Sequence, residues 1–138
     1  MEEIILDSSV LIKLFSKDED YATTAKLIAK FASESLSLVL LDVALYELIN
    51  ALKYSKNATS ELISAIVDAV IKMNPRMITF SPEVSHEAIQ IMEKFSITIY
   101  DSLFIAAAQL ENVHLLTADY KHHRQEISPS IIHFRKWM

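Results

Sequence analysis

EIILDSSVLIKLF, residues 3–15, decides the fold. Glu3 to Leu6 form a short apolar run that stops at Asp7, and from Ser8 to about Phe15 the apolar residues change to helical spacing. A buried strand that passes directly into a helix is how an alternating α/β chain begins. The alternation continues outward from there. Asp18 to Asp20 can cap a second helix running to about Ser33, Leu36–Leu41 reads as a second buried strand, and Val43–Tyr54 as a third helix. Asn57 or Thr59 caps a fourth helix reaching about Met73, in which Leu62, Ile63, Ile66, Val67, Val70 and Ile71 recur at helical spacing. Met77–Phe80 reads as a third strand. Ser81-Pro82 places a capping serine before a proline at the first helical position, which starts a helix through about Phe95. Thr98–Glu111 is an almost wholly apolar helix that Asn112 ends in the left-handed conformation. Val113–Thr117 then reads as a strand, Asp119 to about Gln125 as a short helix, and Ile131–Phe134 as the last strand. Strands too apolar to face water, alternating with helices, imply an α/β fold with a parallel sheet covered on both faces. Ligands of such sheets bind beyond the carboxyl ends of the strands.

Composition narrows the chemistry. The 138 residues, 15.7 kDa, are 51% hydrophobic and 22% charged, which fits one globular domain spanning residues 1–138 and excludes disorder. No internal repeat or linker-like tract interrupts them. The chain contains no glycine, so phosphate-cradling loops, dinucleotide fingerprints and glycine-flanked nucleophiles are excluded. It contains no cysteine either, which excludes disulfides and thiolate metal sites and suits a reducing compartment. No apolar run is long enough to span a bilayer, since Leu36–Leu41 ends at Asp42. The start Met1-Glu2-Glu3 has the opposite charge to a secretory signal, so a cytoplasmic location is expected and the Asn57-Ala58-Thr59 sequon is a polar turn. Net charge is −5, unevenly placed. From Tyr120 onward Lys121, Arg124, Arg135 and Lys136 face a single acid, Glu126, for a net +3, leaving −8 to the residues before.

Four carboxylates call for an explanation. Asp7 and Asp119 each sit at the carboxyl end of a strand, where an aspartate can also cap a helix. Glu47 lies in mid-helix with Val43, Ala44, Asn50 and Ala51 three and four residues away, none of them a cation to pair with. Asp101 has Ile97, Thr98, Phe104 and Ile105 as helical neighbours; Thr98-x-x-Asp101 fits a capping box, and the alternative compensation is a cation. Together, four acids from separated segments make sense around a hard divalent ion, because without one they repel. The five histidines show no zinc-like spacing, and adjacent His122 and His123 cannot face the same side of a helix.

These stretches resemble the PIN-domain family, in particular small VapC-like ribonucleases. The matching segments are IILDSSVLI with Asp7 and Ser9, ALYELINAL with Glu47 and Asn50, IYDSLFIAAAQ with Asp101, and HLLTADYK with Thr117 and Asp119, in order along essentially the whole chain. The resemblance implies a three-layer α/β/α sandwich with a mainly parallel sheet. It further implies a Mg²⁺ or Mn²⁺ site built from Asp7, Glu47, Asp101 and Asp119, cleavage of RNA, and the toxin's place in a toxin–antitoxin pair, as a homodimer with an antitoxin partner. Glycines common around the family's later motifs are absent, and no further acid follows closely after Asp119. Ser9 and Thr117 are expected as supporting hydroxyls, Asn50 as an orienting amide, and Lys121 and Arg124 as phosphate contacts at the rim. The helix Glu61–Met73, with Ala65, Ala69 and Met73, is the expected self-association face. The competing expectation is a non-catalytic binding module whose acids only cap helices.

Overall fold

The computed structural model describes residues 2–137. Five strands, β1 (Glu2–Leu6), β2 (Leu36–Leu41), β3 (Arg76–Ile78), β4 (His114–Thr117) and β5 (Ile131–His133), form one sheet in the order β3-β2-β1-β4-β5. Every pairing is parallel, with Ile5 opposite Val39 on one side and Leu115 on the other. Among the described residues six α-helices accompany them: α1 (Ser8–Leu11), α2 (Tyr21–Ala32), α3 (Asp42–Tyr54), α4 (Ser60–Lys72), α5 (Pro82–Phe95) and α6 (Ile99–Glu111). Successive strand residues point to opposite faces, and Ile4, Ile5 and Leu6, like Leu38 to Leu41, are buried without a break. Both faces of the sheet are therefore covered, which is the α/β/α sandwich expected from the sequence.

Local chemistry accounts for the helix boundaries. Side-chain oxygens of Asp7, Thr59, Ser81 and Thr98 accept hydrogen bonds from the backbone N–H of Val10, Leu62, Val84 and Asp101, each satisfying a donor the helix leaves free. At the other ends, with no glycine to use, Ser96 after α5 and Asn112 after α6 take the left-handed conformation, φ 55° and 54°. Asparagine tolerates that region better than most side chains.

Three expectations need correction. Residues 119–125 form turns, not a helix; only Gln125–Ile127 make a turn of 3₁₀ helix. The reason is tertiary: Tyr120 is held under Arg135, whose guanidinium carbon lies 4.2 Å from the ring centroid, and its hydroxyl accepts from the Arg135 backbone N–H at 3.0 Å. Asp18 and Asp20 make no side-chain cap for α2. Both carboxylates hold the Lys13 ammonium at 2.9 Å, and Asp18 Oδ1 also accepts from Asp20 N, ahead of the first helical turn, at 2.9 Å. The third strand is shorter than its apolar pattern, ending at Ile78 and leaving Phe80 largely exposed. In addition, the helical stretch after Asp7 divides into α1 and a 3₁₀ turn, Ile12–Phe15.

Strand order reverses between β1 and β4, and the carboxyl ends of those two strands define the crevice where such sheets bind ligands. At the opposite end, Arg76 ties β3 to Glu3 of β1 and to Glu111 of α6, at 2.8 Å in each case. A groove of about 620 Å³ also lies away from the crevice; it is lined by Phe31 of α2, Leu36 of β2 and Met73 after α4, and contains none of the four candidate acids.

Candidate active site

Asp7, the first residue past β1, is the hub of the crevice and only 2% exposed. Its Oδ1 accepts from Ser9 Oγ and from Val10 N at 3.3 Å; its Oδ2 accepts from Thr117 Oγ1 and from His123 Nδ1 at 2.9 Å. Four donors meet on one carboxylate, which is how a buried charge is stabilised. Ser9 Oγ in turn accepts from Ala118 N at 2.8 Å, and Thr117 Oγ1 from Asp119 N at 3.0 Å. The ends of β1 and β4 are thus joined by the two hydroxyls expected to support the site.

Glu47 projects from α3 and is half-buried, accepting from Ser8 Oγ at 3.1 Å. Burial pushes its carboxyl above the ordinary carboxylate range; the Ser8 hydrogen bond opposes this, while the charges of Asp7 and Asp101 add to it. Asp101 sits in the first turn of α6 and accepts from Thr98 Oγ1 at 3.1 Å, so its side chain does take part in the capping turn. Asp119 stands at the same end of the sheet but leans outward, accepting from His122 N at 3.2 Å and lying 3.0 Å from His122 Nδ1. Asn50 is exposed one helical turn beyond Glu47. Lys121 and Arg124 are exposed in the turns that follow Asp119, Arg124 lying 3.2 Å from Glu126.

The residue that sequence reasoning passes over is His123. It is 1% exposed, with Nδ1 on Asp7 and Nε2 3.1 Å from the Asp101 backbone oxygen and 3.8 Å from Asp101 Oδ1. Both ring nitrogens therefore meet acceptors, an arrangement only the imidazolium satisfies in full. Burial alone would lower its pKa, but the hydrogen bond to Asp7 and the charges of Asp7 and Asp101 outweigh it and raise the value above an ordinary histidine's. The signal in the sequence is the pair His122-His123: one faces solvent beside Asp119 and the other faces the core, as two adjacent residues must. Ser8 escapes notice as well, because a serine beside an aspartate reads first as part of the cap.

Among the described residues no three His, Asp or Glu side chains are closed into a coordination cage, since Asp7 is engaged by its donors and Asp119 leans to His122. The donor set itself, all hard carboxylate oxygen with Glu47 held near two like charges, fits a hard divalent cation that keeps much of its water. Magnesium sites in particular need only one or two direct carboxylates, the rest of the shell being water and substrate.

The PIN-domain family model matches residues 4–127. Among solved structures, a toxin–antitoxin complex from Klebsiella pneumoniae is similar at 16% identity and TM-score 0.69, with 94% of this chain and 95% of that chain covered. VapBC2 from Rickettsia felis, bound to a DNA fragment from its promoter, is similar at 20% identity and TM-score 0.68, over 95% and 96%. Mycobacterium tuberculosis VapC20, a Sarcin-Ricin loop cleaving toxin, is similar at 12% identity and TM-score 0.67, over 92% and 94%. At these identities the likeness is one of fold. Among curated proteins, none matches the chain by sequence.

Proposed function

Because the chain belongs to the PIN-domain family, we propose that it is a divalent-metal-dependent endoribonuclease, hydrolysing RNA phosphodiester bonds as the toxin of a toxin–antitoxin pair. The observation that carries this reading is the meeting of Asp7, Thr117, Ser9 and His123 at the β1/β4 reversal, with the charges of Glu47 and Asp101 close enough to be felt there. Asp7, Glu47, Asp101 and Asp119 would hold Mg²⁺ or Mn²⁺. When bound, such an ion supplies Lewis-acid activation of water and neutralises charge on the phosphate. The chain's own groups do the rest. Glu47, whose proton affinity burial has raised, orients the attacking water and accepts its proton. Attack on phosphorus breaks the bond to the 3′ oxygen, leaving a 5′-phosphate and a 3′-hydroxyl. Ser9 and Thr117 keep Asp7 in place, and Lys121 and Arg124 meet the phosphates that flank the cleaved bond.

An antitoxin partner is proposed from the complexes that share the fold, and RNA as substrate from VapC20, a toxin that cleaves the Sarcin-Ricin loop. Homodimerisation is part of the same reading. No helix among the described residues is long and apolar enough to cross a membrane. A cytoplasmic location belongs to the same reading, by way of its RNA substrate.

The test is cleavage of single-stranded RNA by purified protein, expected with Mg²⁺ or Mn²⁺ and absent with Ca²⁺ or EDTA. Asp7→Asn, Glu47→Gln, Asp101→Asn and Asp119→Asn should each remove most activity, by ~100-fold or more, while circular dichroism keeps the wild-type spectrum. Wild-type rates in two of the four variants would refute the metal-site assignment. No cleavage and no metal response in the parent protein would leave a non-catalytic module.

A further inference from the structure

The four candidate acids come from four separate segments, and like charges brought together push those segments apart unless something ties them. His123 is the tie between two of them. Its Nδ1 donates to Asp7 Oδ2 at 2.9 Å, at the end of β1; its Nε2 donates to the Asp101 carbonyl at 3.1 Å, in the first turn of α6. The ring also meets Phe104, one turn further along α6, edge to face at 5.9 Å between centroids. Its own backbone is fixed at both ends, the N–H donating to Asp119 O at 2.9 Å and the carbonyl accepting from His133 Nε2 at 2.7 Å. One side chain therefore reaches β1 and α6, while its backbone is anchored to the segment after β4 and to β5.

We propose that His123 is a positioning residue for the site: its imidazole bolts Asp7 to the first turn of α6, so that Asp7 and Asp101 already face one crevice before any cation arrives. This deepens the reading of the site as a metal-dependent nuclease and rests on it. A packing role alone would need only the ring's volume and its approach to Phe104, both of which a phenylalanine supplies. Positioning needs the two donors. Asp7 keeps Ser9, Val10 and Thr117 when the imidazole is removed, so the fold should tolerate the change.

The experiment compares wild type, His123→Phe and His123→Asn in two measurements. Asparagine places an amide donor near the Nδ1 position and so keeps the bond to Asp7. The first measurement is Mn²⁺ titration by calorimetry. His123→Phe should bind about tenfold more weakly, the low end of what losing a residue that orients a metal ligand costs, and His123→Asn, which keeps one of the two donors, should fall between it and wild type. The second is backbone hydrogen exchange in EDTA, where the Asp101 and Ser102 amides of His123→Phe should exchange about tenfold faster, as expected when one charge-assisted hydrogen bond to the turn is gone. Wild-type Mn²⁺ affinity in His123→Phe, or wild-type exchange at those amides, overturns the inference and leaves the nuclease reading standing. A wild type that binds no Mn²⁺ overturns both. A His123→Phe that fails to fold, with His123→Asn as weak in Mn²⁺ binding as an Asp7→Asn control, also overturns it, because the bond to Asp7 would then not be the one that matters.

Discussion

Glu47 and Asp101 have different electrostatic surroundings, although both stand near Asp7. Asp101 has the His123 ring 3.8 Å away, a positive neighbour that offsets the acids. Glu47 has the Ser8 hydroxyl and, more weakly, the His123 charge in its favour, and lies half-buried against like charge. Its folded-state pKa is above the ordinary value of 4.5, so its ionised form destabilises the metal-free fold, and the stability it withholds is fully present below pH 4.5 and lost as pH rises through the raised value. Glu47→Gln keeps the oxygen that accepts from Ser8 and removes the charge. In EDTA at neutral pH the variant should melt higher than wild type, by roughly 2–4 °C per kcal/mol relieved, with the advantage vanishing below about pH 4.5. With Mn²⁺ the sign reverses. Wild type should gain ~2.7 kcal/mol at a hundredfold excess over its dissociation constant, and the variant clearly less. Scanning calorimetry in EDTA and in Mn²⁺ checks both; an equal metal-induced rise in the two proteins would remove Glu47 from the ligand set.

Helix α4 shows what a sequence can and cannot settle about an element. Its period and its Thr59 cap are plain from the residues, as are the Ser81-Pro82 start of α5 and the left-handed Asn112 after α6, because each rests on local chemistry. Which face an exposed helix offers to a partner is not local. Of the expected association stripe, Ala65 is exposed, while Ala69 and Met73 are half-buried and line the groove beside α2. The turns at 119–125 and the inward turn of His123 are illegible for the same reason: Arg135, Asp7 and Asp101, distant in sequence, set them. Of the four acids, Glu47 stands out in the sequence because no cation lies one helical turn away, whereas Asp119 has Lys121 and His122 close by and Asp101 has the Thr98 hydroxyl. Uncovered apolar surface lies on α4 itself, where Leu62 is 51% and Ile71 58% exposed, and on α3, where Tyr46 is 64% exposed, Ile49 39% and Tyr54 75%. Light scattering at micromolar concentration should therefore report twice the 15.7 kDa chain mass, and Tyr46→Asp with Ile49→Asp should return it to one chain. A wild type of one chain mass at that concentration would end the dimer reading.

Charge is the property of the whole molecule that an RNA substrate meets first. At −5 the chain repels a polyanion at long range, yet four of the acids behind that number belong to the candidate metal site, and a bound divalent ion offsets them where the phosphate must approach. The basic residues after Tyr120 gather along the turns next to Asp119 and at the end of β5. They are not equivalent. Arg135 is committed to the Tyr120 ring, and Arg124 shares its guanidinium with Glu126 at 3.2 Å, whereas Lys121 is exposed on the turn two residues beyond Asp119. An exposed ion pair such as Arg124–Glu126 is worth so little in water that a phosphate can displace it. Lys121→Ala with Arg124→Ala should consequently weaken binding to single-stranded RNA by a similar factor for every sequence tried. It should also flatten the plot of log binding constant against log salt by about 1.4, roughly 0.7 for each cation withdrawn from the phosphates of a single strand. Lys121→Ala alone should account for about half of that change, and Glu126→Gln, which frees Arg124, should leave the slope unchanged or steepen it. The measurement is fluorescence anisotropy across a salt series with an Asp7→Asn background to prevent cleavage; an unaltered slope in the double variant would return both residues to ordinary surface charge.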